Sequence, residues 1–310
     1  MQSQHGSLPK RLSLSLCFLA LPLLGQMASA QSSLFSESLV AVNNIGSQFA
    51  YLDFQAASDN SIVSAGSTQS FTGKDGAGNT QTMTFTGSTV SQSNYGRLHV
   101  LTQGSLKNSY YNANNSDYAG TNGEVVDPAG SPSTFSCLGF AIFNDTLHYG
   151  GALESGYKAR YIFHVDGTNS GTGVVADLGV NVDQNPGDAF FAFDSGFYSA
   201  NWATHTFDVN GITPQKINVQ FSDQVVFNAY DLTDGQDYSG TSDFFSTLTL
   251  TAIEVVDKNG NLASGWTVTS DSGTQYPTHQ GNQAVPEPGS ITLLLGLGMM
   301  GAGYLRRRRQ

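Results

Sequence analysis

The sequence predicts an all-β protein that folds as a β-sandwich of jelly-roll type. Short runs rich in Val, Ile, Phe, Tyr and Thr recur along the chain and are separated by clusters of Gly, Asn, Asp and Ser, a pattern typical of strands and turns. Apart from one apolar stretch at each end, no window has the apolar period of an amphipathic helix. The strand-like runs outnumber those of an immunoglobulin domain, which favours the jelly-roll type.

The longest run, residues 244–256, has the period of two that a half-buried strand requires. Leu248 and Leu250 alternate there with Thr247, Thr249 and Thr251. The Asn259-Gly260 pair that follows predicts a tight turn before another strand. The remaining strand-like runs are residues 49–54, 82–87, 97–103, 140–149, 158–167, 174–183, 216–221, 225–230 and 266–270. The polar segments 56–81 and 103–132 predict long surface loops.

The first 30 residues have the parts of a secretory signal peptide in the usual order. These parts are a basic pair, an apolar run and a small-x-small cleavage site: Lys10 and Arg11, residues 12–24, and Ala28, Ser29 and Ala30 before Gln31. The apolar run is short for a membrane span, whereas the cleavage site is well placed after it. We therefore expect export and removal of residues 1–30.

The other end of the chain predicts a transmembrane helix. Residues 291–305 are apolar except for Thr292, and a helix begun at Gly289 would be about 26 Å long against a hydrocarbon core of about 30 Å. Four arginines then act as a topological stop: Arg306, Arg307, Arg308 and Arg309. Because positive charge stays on the cytoplasmic side, the body of the chain would lie across the membrane.

The residues just before this helix are Val285, Pro286, Glu287 and Pro288. Their order, followed by an apolar helix and an arginine cluster, resembles the PEP-CTERM sorting signal of Gram-negative bacteria. The resemblance implies that a membrane-embedded exosortase recognises the motif and cuts near it. The chain would be an inner-membrane precursor first and then a protein of the cell surface or extracellular matrix. A permanent C-terminal anchor that is never cut is the alternative.

These features together divide the chain into a signal peptide (1–30), a β-sandwich extracellular domain (31–284) and a sorting signal (285–310). Parts of the second half, residues 143–151, 162–173 and 243–277, also resemble the β-rich bodies that accompany this signal. That likeness transfers no catalytic residue. It implies a β-rich exported domain. Together with the resemblance of the C-terminal signal, it leads us to expect a non-enzymatic exported protein associated with exopolysaccharide or biofilm.

The charge of the body excludes some partners. Between residues 31 and 284 the chain has seven basic and 23 acidic residues, a net charge of about −16, which disfavours nucleic acid and anionic lipid. Cys137 is the only cysteine in this part, so no internal disulfide is expected, and its apolar neighbours predict a buried thiol. No P-loop or dinucleotide fingerprint is present.

A cluster of aspartates is the candidate metal site. Asp231, Asp234, Asp237 and Asp243 lie close in sequence with Gly235 and Gly240 among them. Calcium takes six to eight oxygen ligands, and loops of this kind supply them. The spacing does not match an EF-hand, and a solvated acidic loop is the alternative. Calcium is the one cofactor that the sequence suggests.

An aromatic stretch, residues 189–205, is the candidate sugar site. Asp194, Tyr198, Asn201 and Trp202 have the composition of sites that stack sugar rings on aromatic groups and bind hydroxyls with polar side chains. A calcium-dependent lectin-like module is therefore an alternative function. Core packing of the aromatic residues is the alternative interpretation of this stretch.

No catalytic motif stands out in the body. His164 and Asp166 fall on one face of a predicted strand, where a surface cross-strand pair is expected rather than a catalytic dyad. Ser155 lacks the glycines of a nucleophile elbow. Two carboxylates across a cleft could hydrolyse a polysaccharide, and the sequence does not select two from 23. A polysaccharide-active hydrolase thus remains the third alternative.

Overall fold

The structure is a computed structural model that describes residues 32–44, 49–74, 79–109, 119–120, 132–183, 185–193, 195–228 and 235–281. The regular elements of these residues are all β-strands. Within the same residues, no helix is long and apolar enough to cross a membrane. The predicted signal peptide, transmembrane helix and arginine tail lie outside the described residues.

Sixteen strands are formed by the described residues. They are β1 (Ser33–Asn44), β2 (Phe49–Ala57), β3 (Val63–Lys74), β4 (Thr80–Asn94), β5 (Arg97–Lys107), β6 (Ala119–Gly120), β7 (Pro132–Gly151), β8 (Lys158–Gly171), β9 (Val174–Val182), β10 (Asn185–Phe193), β11 (Gly196–Ala203), β12 (Phe207–Asp208), β13 (Gln215–Asn228), β14 (Tyr238–Val256), β15 (Trp266–Ser270) and β16 (Thr278–His279).

The strands are arranged in two sheets, which confirms the all-β prediction. The seven-stranded sheet has the order β10-β9-β13-β7-β1-β2, and β15 also pairs with β7. The nine-stranded sheet has the order β11-β8-β14-β5-β4-β3-β6, with β12 beside β8 and β16 beside β14. Neighbouring strands are antiparallel except for β14 and β16, which are parallel. The jelly-roll type stays a prediction.

The inner faces of the two sheets pack on each other through two apolar clusters. The larger cluster contains Phe221 and Phe244, whose ring centroids are 5.2 Å apart, and the smaller contains Phe85 and Phe135, also 5.2 Å apart. Each pair joins one strand from each sheet. Such aromatic contacts explain why the alternating runs of the sequence form a shared core.

A polar band separates the two clusters. Along β13 the inward positions read Phe221, Asp223 and Val225, and these belong in turn to the larger cluster, the band and the smaller cluster. The band consists of buried side chains from both sheets: Ser36, Ser38, Thr89, Ser91, Ser93, Thr102, Asp223 and Ser242. Their hydroxyls bond across the interface, as buried polar groups must. Ser36 and Ser93 are 2.9 Å apart, for example.

The prediction of a loop over residues 56–81 is wrong, because β3 occupies residues 63–74 and the ends of β2 and β4 extend into the segment. The inward positions Val63, Ala65 and Phe71 are buried, and β3 pairs along its whole length with β4. Ser, Thr and Gly fill most other positions of this strand, so its alternation is weak in hydrophobicity. Of the second predicted loop, 103–132, residues up to Lys107 continue β5 and residues 119–120 form β6.

Candidate functional site

The C-terminal segment, residues 271–281, is attached to the body by side chains from both sheets. The first attachment is Asp145 of β7, which is 1% exposed. Its carboxylate accepts hydrogen bonds from the Ser272 amide (3.1 Å), the Ser272 hydroxyl (2.6 Å) and the Tyr276 hydroxyl (2.7 Å). The Ser32 hydroxyl also donates to it over 3.1 Å. Because several donors bind one buried carboxylate, Asp145 holds the start of the C-terminal segment firmly on β7.

Tyr276 packs into the core at the same point. Its ring is stacked on Phe143, with centroids 6.5 Å apart, and it is 7% exposed. Burial, and then the negative charge of Asp145, raise the pKa of the Tyr276 phenol far above its usual range. The phenol therefore keeps its proton and remains a hydrogen-bond donor.

Glu254 of β14 forms the second attachment. Its carboxylate accepts a bond from Arg160 Nε at 2.5 Å and lies 2.7 Å from Nδ1 of His279. The backbone continues the contact, because β16 pairs with β14 and the amide of Ile253 donates to the carbonyl of Pro277 over 2.8 Å. The side chain of Glu254 is 9% exposed and that of Arg160 is 38% exposed, so the ion pair is buried on the carboxylate side and open to solvent on the guanidinium side.

The third attachment lies at the end of the segment. The Gly281 amide donates to the carbonyl of Ala263 over 2.9 Å, and the Gln280 side-chain amide donates to the carbonyl of Trp266 over 2.8 Å. A Cβ at Gly281 would lie 2.1 Å from the carbonyl oxygen of Leu262, so the position requires glycine. The chain is thus held by specific contacts up to Gly281. The predicted motif at Val285, Pro286, Glu287 and Pro288 follows outside the described residues.

The structure separates the residues of the candidate sugar site. Tyr198 and Trp202 of β11 point toward the core and pack edge-on against Phe193, with centroids 5.0 and 5.6 Å apart. Asn201, between them, faces the opposite side, where its Oδ1 lies 2.9 Å from Nδ1 of His164. Asp194 lies outside the described residues. The two aromatic rings are therefore largely occupied by core contacts.

His164 is paired across strands as the sequence suggests. It lies opposite Asn201 in the register of β8 and β11 and contacts that amide, and no contact to Asp166 is needed to explain its position. This geometry is that of an ordinary cross-strand surface pair.

The structure describes two of the four candidate calcium residues, Asp237 and Asp243. Asp231 and Asp234 lie outside the described residues. Asp237 accepts a bond from the Asn108 amide over 2.8 Å, and Asp243 accepts one from the Phe245 amide over 3.2 Å. Within the part of the chain that the structure describes, no three His, Cys, Asp or Glu side chains form a group that could hold a metal ion. The calcium site stays a prediction.

Buried ionisable groups are the main feature that the sequence did not indicate. Asp223 is completely buried, and this burial raises the pKa of its carboxyl well above its usual range. Glu37 is 6% exposed, and burial raises its pKa as well. Asp145 and Glu254 belong to the same missed group. Asp145 and Asp223 point toward the core between the sheets. Glu37 and Glu254 instead alternate with inward residues and are buried at the outer faces of their strands. Burial at these four positions depends on strand pairing and on what packs over each strand, which a sequence does not supply.

Cys137 is a buried free thiol, as predicted. It is 0% exposed and belongs to the smaller apolar cluster. Burial raises the pKa of the thiol to about 12, so the reactive thiolate is scarce at neutral pH.

Comparison with known proteins identifies the C-terminal region. A family model described as the PEP-CTERM protein-sorting motif matches residues 284–309. This match confirms the resemblance found in Pro286, Glu287 and Pro288 and in the arginines after the apolar run. No curated protein and no solved structure matches the chain. The candidate functional site is therefore the sorting motif together with the attached segment that leads into it.

Proposed function

We propose that this chain is a non-enzymatic exported protein that an exosortase processes at its C-terminus and that then stays at the cell surface or in a polysaccharide matrix. The observation that carries the proposal is the PEP-CTERM sorting motif at residues 284–309. The motif supports export, an exosortase as partner and a membrane-anchored precursor. Signal-peptide removal, the transmembrane helix and the association with exopolysaccharide belong to the proposal.

The attached C-terminal segment supports this role by its position. Gly281 is the last residue with described contacts, and the matched motif begins at residue 284. Three residues span about 10 Å at most. Because proline-flanked Glu287 cannot continue a helix, the motif should remain extended between the folded body and the membrane. A protease at the membrane surface would then meet an extended substrate at a fixed position.

The proposal is tested by the intact mass of the chain recovered from host cells and medium. We expect a product that begins at Gln31 and ends near Pro286, and we expect Glu287→Ala to keep the arginine tail. The matched control is Glu154→Ala, because Glu154 is an exposed glutamate in the connection between β7 and β8. The control should be processed normally. A wild-type product that still carries Arg306 to Arg309 would show a permanent anchor and contradict the sorting proposal.

A carbohydrate-binding module is the second candidate. It is favoured by the polar outer surface of the nine-stranded sheet, where Thr, Ser and Gln side chains alternate with buried core residues. Binding without turnover of the host's own polymer would agree with this candidate. Turnover that a single carboxylate substitution abolishes would instead establish a hydrolase.

A further inference from the structure

The outer face of β3, β4 and β5 presents regular rows of polar side chains. We call this surface the hydroxyl face, and it consists of Thr68, Thr84, Thr86, Ser88, Gln103 and Ser105. The strand register places Thr68, Thr86 and Ser105 in one row across the three strands. Ser88 and Gln103 lie opposite each other in the next row. Rows of this kind repeat at about 7 Å along the strands and at about 4.8 Å between them.

Burial shows that these side chains face outward. Along β4, Met83 and Phe85 are buried, whereas Thr86 is exposed and Thr84 is partly exposed. The hydroxyls of Thr68 and Thr86 are 3.2 Å apart, so one donates to the other. A hydroxyl has one donor and two acceptor sites, and such a pair therefore keeps hydrogen-bonding capacity for a ligand.

The hydroxyl face is also exceptional in charge. Residues 79–109, which include all of β4 and β5, contain no carboxylate, although the body has a net charge of about −16. The same residues contain Arg97 and Lys107, both exposed. On the far side of β5, β14 places Asp243 opposite Leu101. The carboxylate-free area therefore covers β4 and β5 and has carboxylates at its borders. Asp53 accepts the Gly66 amide of β3 over 2.8 Å, and Asp237 accepts the Asn108 amide next to Lys107 over 2.8 Å.

The two basic residues are arranged along one line. Arg97 and Lys107 are at opposite ends of β5. Side chains of a strand point alternately to its two faces, and Arg97 and Lys107 are an even number of residues away from the outward-facing Gln103 and Ser105. All four therefore point outward. Ten residues of strand separate Arg97 from Lys107, which corresponds to about 33 Å. A small sugar cannot reach both charges, whereas an extended polymer can.

We propose that the hydroxyl face binds an extended polysaccharide chain that carries negative charge. Sugar hydroxyls would bond to the Thr, Ser and Gln rows, and acidic groups of the polymer would lie near Lys107 and Arg97. The acidic remainder of the body repels such a polymer and so restricts its binding to this face. The proposal rests on the proposed function, since it names the partner of a matrix protein and the surface that meets it.

The test measures retention of the mature chain, recovered from cells and medium, on beads that carry alginate, a polyuronate, or dextran, a neutral glucan. We expect retention on alginate that weakens as salt is raised, and little retention on dextran. The double variant Thr68→Val and Thr86→Val removes two exposed hydroxyls and keeps β-branched side chains. It should bind alginate about tenfold more weakly, because each lost hydrogen bond contributes a small factor. Lys107→Gln should weaken binding and reduce its salt dependence.

The matched control is Thr168→Val, which removes a partly exposed threonine hydroxyl from the outer face of β8, opposite Asp243. It should bind like the wild type, and circular dichroism should show that all variants are folded. Equal retention on alginate and dextran, or equal losses in the control and the double variant, would overturn the proposal. Comparable binding to phosphatidylglycerol vesicles would also overturn it, because the face would then recognise anionic surfaces in general.

The same samples distinguish this proposal from the proposed function. A chain that is cut at its C-terminus but does not bind alginate overturns the hydroxyl-face proposal alone. A chain that binds alginate but keeps its arginine tail overturns the sorting proposal alone.

Discussion

The hydroxyl of Tyr276 donates to the carboxylate of Asp145 over 2.7 Å, across 131 residues of sequence. This bond connects the segment that leads to the sorting motif with β7, a strand that has neighbours on both sides in its sheet. The last part of the described chain is therefore a component of the folded body. Its stability can be tested at this contact.

Tyr276→Phe should lower the free energy of unfolding by about 1–2 kcal/mol, because the buried carboxylate of Asp145 loses one of its donors. Ser272 still donates to that carboxylate, so the segment should stay attached. Urea unfolding followed by fluorescence measures the change. Tyr157→Phe, at a half-buried tyrosine beside β8, is the control and should cost less. Equal effects of the two substitutions would show that the bond to Asp145 contributes little.

Asp223→Asn should change the pH dependence of stability. Burial raises the folded-state pKa of Asp223, whereas the unfolded chain titrates at about 3.9. The stability contributed by the protonated form is complete below the unfolded pKa and is lost as pH rises toward the folded one. The wild type should therefore weaken from pH 4 to pH 7, and Asp223→Asn should weaken less. Urea midpoints at both pH values measure the difference.

Glu37→Gln is the companion to this experiment, because burial raises the pKa of Glu37 in the same direction. This substitution should further reduce the dependence of the free energy of unfolding on pH. If neither variant changed the dependence of stability on pH, both carboxyls would have to be less buried in solution than in the structure.

Arg160→Met should loosen the C-terminal segment. The substitution keeps much of the side-chain packing but leaves Glu254, which is 7% exposed, without its guanidinium partner. We expect faster amide exchange at Ile253 and Gly281, whose amides donate to Pro277 and Ala263. Hydrogen exchange with mass spectrometry measures this local opening.

Lys158→Met is the control for the Arg160 substitution. Lys158 is on the same face of β8, and its ion pair with Asp208 is exposed and 3.5 Å long. Such surface pairs contribute little. Exchange at Ile253 and Gly281 should be unchanged in this variant.

Gly139→Ala should destabilise the sandwich by about 1–3 kcal/mol through overpacking. A Cβ at Gly139 would lie 2.3 Å from Val100 Cγ1 and 2.7 Å from Thr89 Oγ1, across the contact between the sheets. Gly66→Ala is the control, because an added Cβ there meets nothing closer than 3.8 Å. The melting temperatures of the two variants measure the difference between a glycine between the sheets and a glycine on the outside. Similar melting temperatures would contradict the close approach of the sheets at Gly139.

The sequence predicted strands best where large apolar residues alternate. The run at residues 244–256 lies within β14, and its Leu248 and Leu250 are buried as the period of two requires. The strand prediction failed at β3. Ser, Thr and Gly make the alternation of hydrophobicity weak in that strand, although Val63 and Phe71 point inward. Hydrophobic contrast therefore decided which strands could be found, and strand length did not, since β3 has 12 residues and the predicted β15 has five.

Side-chain direction in the candidate sites could be predicted less well. Tyr198, Asn201 and Trp202 are close in sequence, but the pleat of β11 directs the aromatic rings to the core and the amide to the outside. Asp145 and Glu254 bind the C-terminal segment through contacts that cross 131 and 25 residues. Contacts of this range depend on strand pairing, which local patterns do not determine.

The length of β14 has a further consequence for how the protein would stand on a surface. At one end of this strand, Thr241 lies opposite Gln103 of the hydroxyl face. At the other end, Val255 accepts the amide of Ala263, next to the point where Gly281 is held. The 14 residues between Thr241 and Val255 correspond to about 45 Å. In a body tethered by its C-terminus, β14 would thus act as a spacer that keeps Gln103 up to about 45 Å from the tether, whereas Arg97, opposite Thr249, would lie nearer to it.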